Sequence, residues 1–349
     1  MQRRLLLQSL PAAATLGTLA TAQALPSSPI SNADLLRPRR LRAGDTIGLV
    51  SPASAVYERE PISRAIESLQ ALGFVVREAP HLRERRGNFA GTDGERAADI
   101  NEFFRDDTID GILALTGGSG CNRIVDKLDY ALIRRRPKFF GGFSDLTCLI
   151  NAIQKKTGLV TFHCPVGVSE WNAFSVQSFR SVTMEARPAL LEHPLPKGDA
   201  LSPAGDRLTT LRSGRAQGRL IGGNLTVLAA MAGSPYWPDF SGAVLVLEDI
   251  NEVIYRLDRC LSTLRLAGAF DHLAGVILGQ FVNCGPGDGE YGALTLDEVF
   301  DDYFLPLGIP AVAGVMVGHI AHKHTLPIGL TAEMDASTGA IQLLTTAVA

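Results

Sequence analysis

Through the first half of the chain, short apolar runs alternate with longer stretches in which apolar residues recur every three or four positions. "DTIGLVSP" (45–52) reads as a buried strand, and "ISRAIESLQALG" after it has helical spacing. "FVVREAP" is the next strand. "GTDGERAADINEFFRDD" opens on a helix-start signal and sets Ala97, Ile100, Phe103 and Phe104 at helical intervals. "GILALT", the glycine turn "GGSG", a helical stretch through "IVDKLD", the strand "KFFGGF" and the helix "LTCLINAIQKK" complete the series. Nearly continuous apolar strands separated by helices of this length predict a parallel sheet covered on both faces.

The pattern changes between 171 and 206. One helix, "SVQSFRSVTMEA", is followed by "HPLPKGDALSPAGD", whose prolines and glycines predict a linker. Beyond it, "LTTLRSGRAQGRLIGGN" alternates like a β-ribbon. A helix "LTVLAAMAGS", a strongly apolar strand "GAVLVLEDI", a helix "VIYRLDRCLSTLRLAG" and a strand "AGVILGQF" follow. The chain closes with "IPAVAGVMVGH" and the hairpin-like "LPIGLTAEMDASTGAIQLLT". The predicted fold class is therefore α/β, with a parallel-sheet N-terminal domain over 38–170, a linker over 171–206, and a smaller mixed, β-rich C-terminal domain over 207–349.

Composition narrows the function classes. The 349 residues are 46% hydrophobic and 20% charged, ordinary for a globular protein, and a net charge of −3 gives no electrostatic footprint for nucleic acid. "RPRRLR" and "IRRRP" are short, flanked by apolar residues, and read as solvated faces. "MQRRLLLQSLPAAATLGTLATAQA" (1–24) has paired arginines, a modest apolar stretch and a small-x-small cleavage site ending at Ala24, so it predicts a signal peptide and a periplasmic mature protein. Arg3-Arg4 before leucines fits a twin-arginine signal. Pro11 and Gly17 interrupt the apolar stretch, which argues against a stable membrane span. Cys121, Cys148, Cys164, Cys260 and Cys284 are scattered and odd in number, and they read as buried thiols rather than a disulfide framework. Cys121, in the glycine-rich turn, is the one to examine for reactivity.

In parallel sheets ligands gather at the carboxyl ends of strands. Three such ends carry reactive groups: "FFGGF" leads to Ser144, "AVLVLE" ends at Glu248, and "AVAGVMVGH" ends at His319. A hydroxyl, a carboxylate and an imidazole are the parts of a nucleophilic acyl-transfer site. Taken singly, Ser144 also reads as a helix N-cap, Glu248 as a surface carboxylate and His319 as a structural histidine. Two metal readings compete. His319, His322 and His324 form H-x-x-H-x-H, but Lys323 among them opposes a cation. Glu248, Asp249 and Glu252 suit a divalent ion, although "LEDINE" runs into a helix whose first turn favours acids anyway. Neither makes a metal or other cofactor the expectation. "TGGSG" (116–120) lacks the spacing and the lysine of a phosphate loop, and its N–H groups suit an oxyanion equally well.

Together, in this order, "GDTIGLVSPAS", "FAGTDGERAADIN", "LTGGSGCNRIVDKLD", "GGFSDLT", "TFHCP", "GRLIGGNLTVLAAMAGSPYWP", "GAVLVLEDINEVIYRLDR" and "VGHIAHKHTLPIG" resemble the LD-carboxypeptidases (muramoyltetrapeptide carboxypeptidases), which include the microcin-immunity hydrolases. The resemblance implies a flavodoxin-like N-terminal domain, a β-rich C-terminal domain and an active site between them. It assigns the nucleophile to Ser144, the triad carboxylate to Glu248 and the histidine to His319. It places the oxyanion hole at the N–H groups of Asp145 and Gly118. It implies cleavage of the L,D-amide before a terminal D-alanine in murein peptides, and family members often form homodimers. Many members carry arginine and tyrosine where this chain has Thr116 and Ser119, so the substrate is the open point. Two alternatives remain beside it: a periplasmic solute-binding protein, and an α/β-hydrolase esterase, which would require a G-x-S-x-G elbow where this chain has Leu146 two residues after Ser144.

Overall fold

The computed structural model describes residues 35–194, 207–287 and 294–349. The predicted signal peptide (1–24) and the proline- and glycine-rich end of the predicted linker lie outside the described residues.

The first half builds β1 (Thr46–Val50), α1 (Arg59–Ala71), β2 (Val75–Glu78), α2 (Asp93–Arg105), β3 (Gly111–Ala114), α3 (Tyr130–Arg135), β4 (Phe139–Gly142), α4 (Thr147–Thr157) and β5 (Thr161–His163). All five strands are parallel, in the order β2-β1-β3-β4-β5. That is the flavodoxin-like order, in which the direction of winding reverses between β1 and β3 and opens a crevice at the carboxyl ends. The helices lie close on this sheet: a Cβ at Gly48 of β1 would fall 2.4 Å from the Phe103 ring of α2. A capping box starts α2, with Thr92 and Glu95 each accepting the other's backbone N–H. Gly158, at φ +77°, stops α4. The stretch through "IVDKLD", expected to be helical, forms two short 3₁₀ turns (Cys121–Arg123 and Val125–Lys127).

The second half supplies α5 (Ala173–Thr183), β6 (Leu190–Leu191), β7 (Thr209–Arg212), β8 (Arg215–Asn224), α6 (Leu225–Ala229), β9 (Ala243–Ile250), α7 (Ile254–Leu266), β10 (Gly275–Val282), α8 (Leu296–Phe304), β11 (Ala311–Ala313), β12 (Leu326–Ile328), β13 (Thr331–Asp335) and β14 (Ala340–Leu343). Its sheet runs β6-β14-β13-β8-β9-β10-β11-β7, with β8 to β11 parallel and the flanking pairs antiparallel. Three expectations change here. The residues 208–224 do form two strands, but β7 pairs with β11 and β8 with β9 and β13, so they are not a ribbon. The strand expected to end at His319 stops at Ala313, because Gly314 takes φ +91° and the chain leaves the sheet. The hairpin is β13–β14 alone, since β12 crosses to the first sheet and pairs antiparallel with β5.

The two sheets are locked together beside the serine turn. The Asn151 side chain on α4 donates to Gly222 O (2.8 Å) and accepts from Gly222 N (3.2 Å). Thr147 Oγ1 accepts from Asn224 N at 2.9 Å. Gly223 makes this approach feasible, as a Cβ there would sit 2.5 Å from Thr147 Oγ1.

Candidate active site

Ser144 lies in the turn where β4 becomes α4. Its φ of +66° is left-handed, unusual for a residue with a Cβ, and that strain lifts the hydroxyl out of the backbone. Strand-to-helix elbows of this kind present nucleophilic serines. Ser144 does not cap α4 through its side chain. Its Oγ lies 2.9 Å from His319 Nε2, and His319 Nδ1 lies 2.7 Å from Glu248 Oε2. The three groups therefore form one continuous hydrogen-bonded chain. It joins the first sheet, the end of β9 in the second sheet, and the segment that runs between them from β11 to β12.

Glu248 is fully buried. Burial alone would raise its carboxyl, but His319 and His163 outweigh it and bring the group from 4.5 down to about 2. His163 Nε2 stands 3.9 Å from Oε1, beyond hydrogen-bond reach. Gly318 permits the carboxylate to sit so near the histidine's backbone: its φ is +120°, and a Cβ would fall 2.8 Å from Glu248 Oε2. An ionised acid on Nδ1 fixes the imidazole with its proton there, leaving Nε2 free to accept the serine proton.

The other predicted positions fall around this chain. Asp145 is buried, and its carboxylate accepts from Cys121 N at 2.8 Å, which ties the serine turn to the segment after β3. Burial pushes its carboxyl up. Gly118, at φ +111°, lines the same cleft as Ser144, and a Cβ there would fall 2.1 Å from Ser54 Oγ. Gly117 is the residue pressed against Ser144, where a Cβ would lie 2.8 Å from Ser144 Cβ. Thr116 also lines the cleft, whereas the Ser119 hydroxyl is taken up by Asn88 (3.0 Å). The H-x-x-H-x-H residues diverge: His319 meets Ser144, His322 lies edge-on to Phe174, and His324 faces Ser178. Asp249 is bonded to Asn224 and Thr226. Among the described residues no three His, Cys, Asp or Glu side chains are grouped to hold a metal, and no helix is long and apolar enough to cross a membrane. All five cysteines are free, and burial pushes the Cys121 thiol well up, which removes it as a nucleophile.

Sequence reasoning passed over two features of the site. Helix α5, read as part of a linker, holds the histidine loop. Asn172 Nδ2 donates to Ala321 O (2.7 Å), Ser175 Oγ accepts from Lys323 N (3.1 Å), and Ser178 Oγ accepts from Thr325 N (2.9 Å). The signal was present as three small polar residues at intervals of three, one helical face. The second is Lys323, weighed only as an obstacle to a metal, which lines the open cleft of about 520 Å³ with Ser144 and His319.

A hydroxyl, an imidazole and a buried carboxylate in hydrogen-bonded order at the edge of a parallel sheet are the equipment of a serine-type hydrolase, and similarity to known proteins agrees. The LD-carboxypeptidase N-terminal domain matches residues 47–164 and the LD-carboxypeptidase C-terminal domain matches residues 217–334. The chain belongs to the LD-carboxypeptidase family. It is 37% identical over 304 residues to a probable murein peptide carboxypeptidase of Bacillus subtilis, covering 86% of this chain and 91% of that one. The structure of MccF in complex with glutamyl sulfamoyl guanosine superposes with a TM-score of 0.81 at 27% identity, over 90% of this chain and all of that one. A muramoyltetrapeptide carboxypeptidase from Oxalobacter formigenes gives 0.73 at 30% identity, over 85% and 97%. Membership in a hydrolase family sets aside the solute-binding alternative.

Proposed function

We propose that this enzyme removes the terminal D-alanine from murein-type tetrapeptides by cleaving the L,D-amide before it, through an acyl-enzyme on Ser144. The observation that carries the reading is the unbroken Glu248–His319–Ser144 chain, at 2.7 and 2.9 Å. The kinship with murein peptide carboxypeptidases supports the substrate class.

His319 Nε2 takes the Ser144 proton as Oγ attacks the scissile carbonyl carbon. Glu248 holds the imidazole and offsets the positive charge it gains. The carbonyl oxygen, now an oxyanion, is received by the N–H groups of Asp145 and Gly118. Collapse of the tetrahedral species breaks the C–N bond, and His319 returns the proton to the departing D-alanine nitrogen. Water, deprotonated by the same imidazole, then releases the shortened peptide and restores the serine. In this reading the 38–170 domain supplies the nucleophile and the 207–349 domain its two partners. Residues 1–24 direct export, which puts the enzyme in the periplasm, where murein and its fragments are the available peptides; fractionation of cells expressing the full chain tests that placement.

The test of the activity is incubation of purified protein with murein tetrapeptide and measurement of free D-alanine. Release by the wild type and not by Ser144→Ala is expected. Cleavage of a different amide, with murein tetrapeptide untouched, reassigns the substrate and keeps the serine chemistry.

A further inference from the structure

The steps above leave one charged wall of the cleft unused. Lys323 is 6% exposed and lines the cleft beside Ser144 and His319. Its Nζ stands 4.3 Å from the centroid of the Phe143 ring, and the same ring packs edge-on against His319 at 4.8 Å. The ammonium is thus one aromatic ring away from the nucleophile, since Phe143 precedes Ser144. Its backbone is fixed by α5, with Lys323 N on Ser175 Oγ and the Ala321 carbonyl held by both Asn172 and Ser175.

Lys323 makes no ion pair among the described residues. The nearest functional carboxylate, Glu248, is committed to His319. Burial draws the ammonium down to about 8 against the attraction of Glu248 and Glu170, so the group stays mostly charged at neutral pH. A sequestered cation without a counter-ion is costly, and the Phe143 face offsets only part of that cost. The remaining groups near Ser144, including Gly117, Gly118, Phe143 and Val166, carry no charge. An enzyme that removes only the last residue of a peptide has to recognise the chain end, and what distinguishes a chain end is its carboxylate.

We propose that Lys323 receives the C-terminal carboxylate of the substrate and thereby confines cleavage to the terminal amide. The assignment rests on the carboxypeptidase reading above. A charge-assisted hydrogen bond of this kind corresponds to about a 10- to 100-fold preference in kcat/KM for a free carboxylate over a neutral chain end.

The experiment compares a D-alanine-terminated tetrapeptide with its C-terminal amide, on wild type, Lys323→Met and Lys323→Arg. Wild type should prefer the carboxylate by about 10- to 100-fold, Lys323→Met should bring the ratio near one, and Lys323→Arg should keep most of it. Lys323→Gln serves as the second neutral variant if the methionine variant does not fold. A ratio in the neutral variants equal to that of wild type overturns the proposal. If wild type releases no D-alanine at all, the substrate reading fails, and Lys323 is judged from protection of Ser144 against a fluorophosphonate. Protection by the carboxylate peptide that exceeds the amide's in wild type, and not in Lys323→Met, supports the assignment. Equal protection in both proteins overturns it.

Discussion

Gly318→Ala places one methyl group at the joint between Glu248 and His319. The added Cβ would lie 2.8 Å from Glu248 Oε2, 3.0 Å from Glu248 Cβ and 3.1 Å from Gln280 O. Two of these neighbours cannot swing away, because one is the root of a fully buried side chain and the other is backbone of β10. The φ of +120° adds backbone strain of about 1–3 kcal/mol for any residue with a Cβ. Relief requires the carboxylate to retreat, which stretches its 2.7 Å bond to His319 Nδ1. A displacement approaching 1 Å in a catalytic group can cost about 100-fold. The expectation is therefore a fall of about 100-fold in kcat, with the midpoint of thermal unfolding lower by about 5 °C. Gly242→Ala is the control: its φ is +64° and nothing lies within 4 Å of the added Cβ, so it tests backbone strain away from the site. D-alanine release and thermal unfolding are measured on both variants. Gly318→Ala with wild-type kcat would refute the claim that Glu248 acts through this contact, and an equal kcat loss in Gly242→Ala would show that strain alone is responsible.

Glu248→Gln should lower kcat by on the order of 1,000-fold, because a neutral amide neither fixes the Nδ1 proton as firmly nor offsets the imidazolium. The same variant should alter acid stability. The folded carboxyl is held at about 2, below its ordinary 4.5, so its ionisation favours the folded state above that ordinary value. That contribution is lost as pH falls from about 4.5 toward 2. Urea titrations across this range should give a flatter pH dependence for Glu248→Gln than for wild type, and parallel curves would contradict the assignment. Ser175→Ala removes the hydroxyl that accepts from Lys323 N and donates to Ala321 O. Leaving a buried N–H unpaired costs about 1–3 kcal/mol, so a lower unfolding midpoint and slower turnover are expected together; unaltered turnover would remove α5 from its role as the clamp of the histidine loop.

The parallel character of the first sheet was legible because β1, β3 and β4 are short, almost wholly buried apolar runs and helices with marked starts or stops, such as Thr92 with Glu95 or Gly158, lie between the strands. Ser144, Glu248 and His319 were legible as chemistry from residue type and from the family resemblance, and the approach of these three side chains across two sheets could be stated only as a wager. What decides it is non-local. Asn151 and Thr147 bind the backbone of β8 from more than seventy residues away. The ribbon reading of 208–224 failed because alternation says a strand is half-buried without naming its partner. The strand leading to His319 was drawn too long because "AVAGVMVGH" stays apolar after Gly314 turns the chain away. Those later valines are buried in a loop, and local pattern does not separate a buried loop from a buried strand.

The central claim is that a hydroxyl, an imidazole and an acid from distant parts of the chain work as one unit, and fluorophosphonate labelling followed by peptide mapping tests it most directly. The expected result is a single adduct on Ser144, formed by wild type and slowed by orders of magnitude in His319→Ala. An adduct on another residue, or a His319→Ala protein labelled at the wild-type rate, would contradict it.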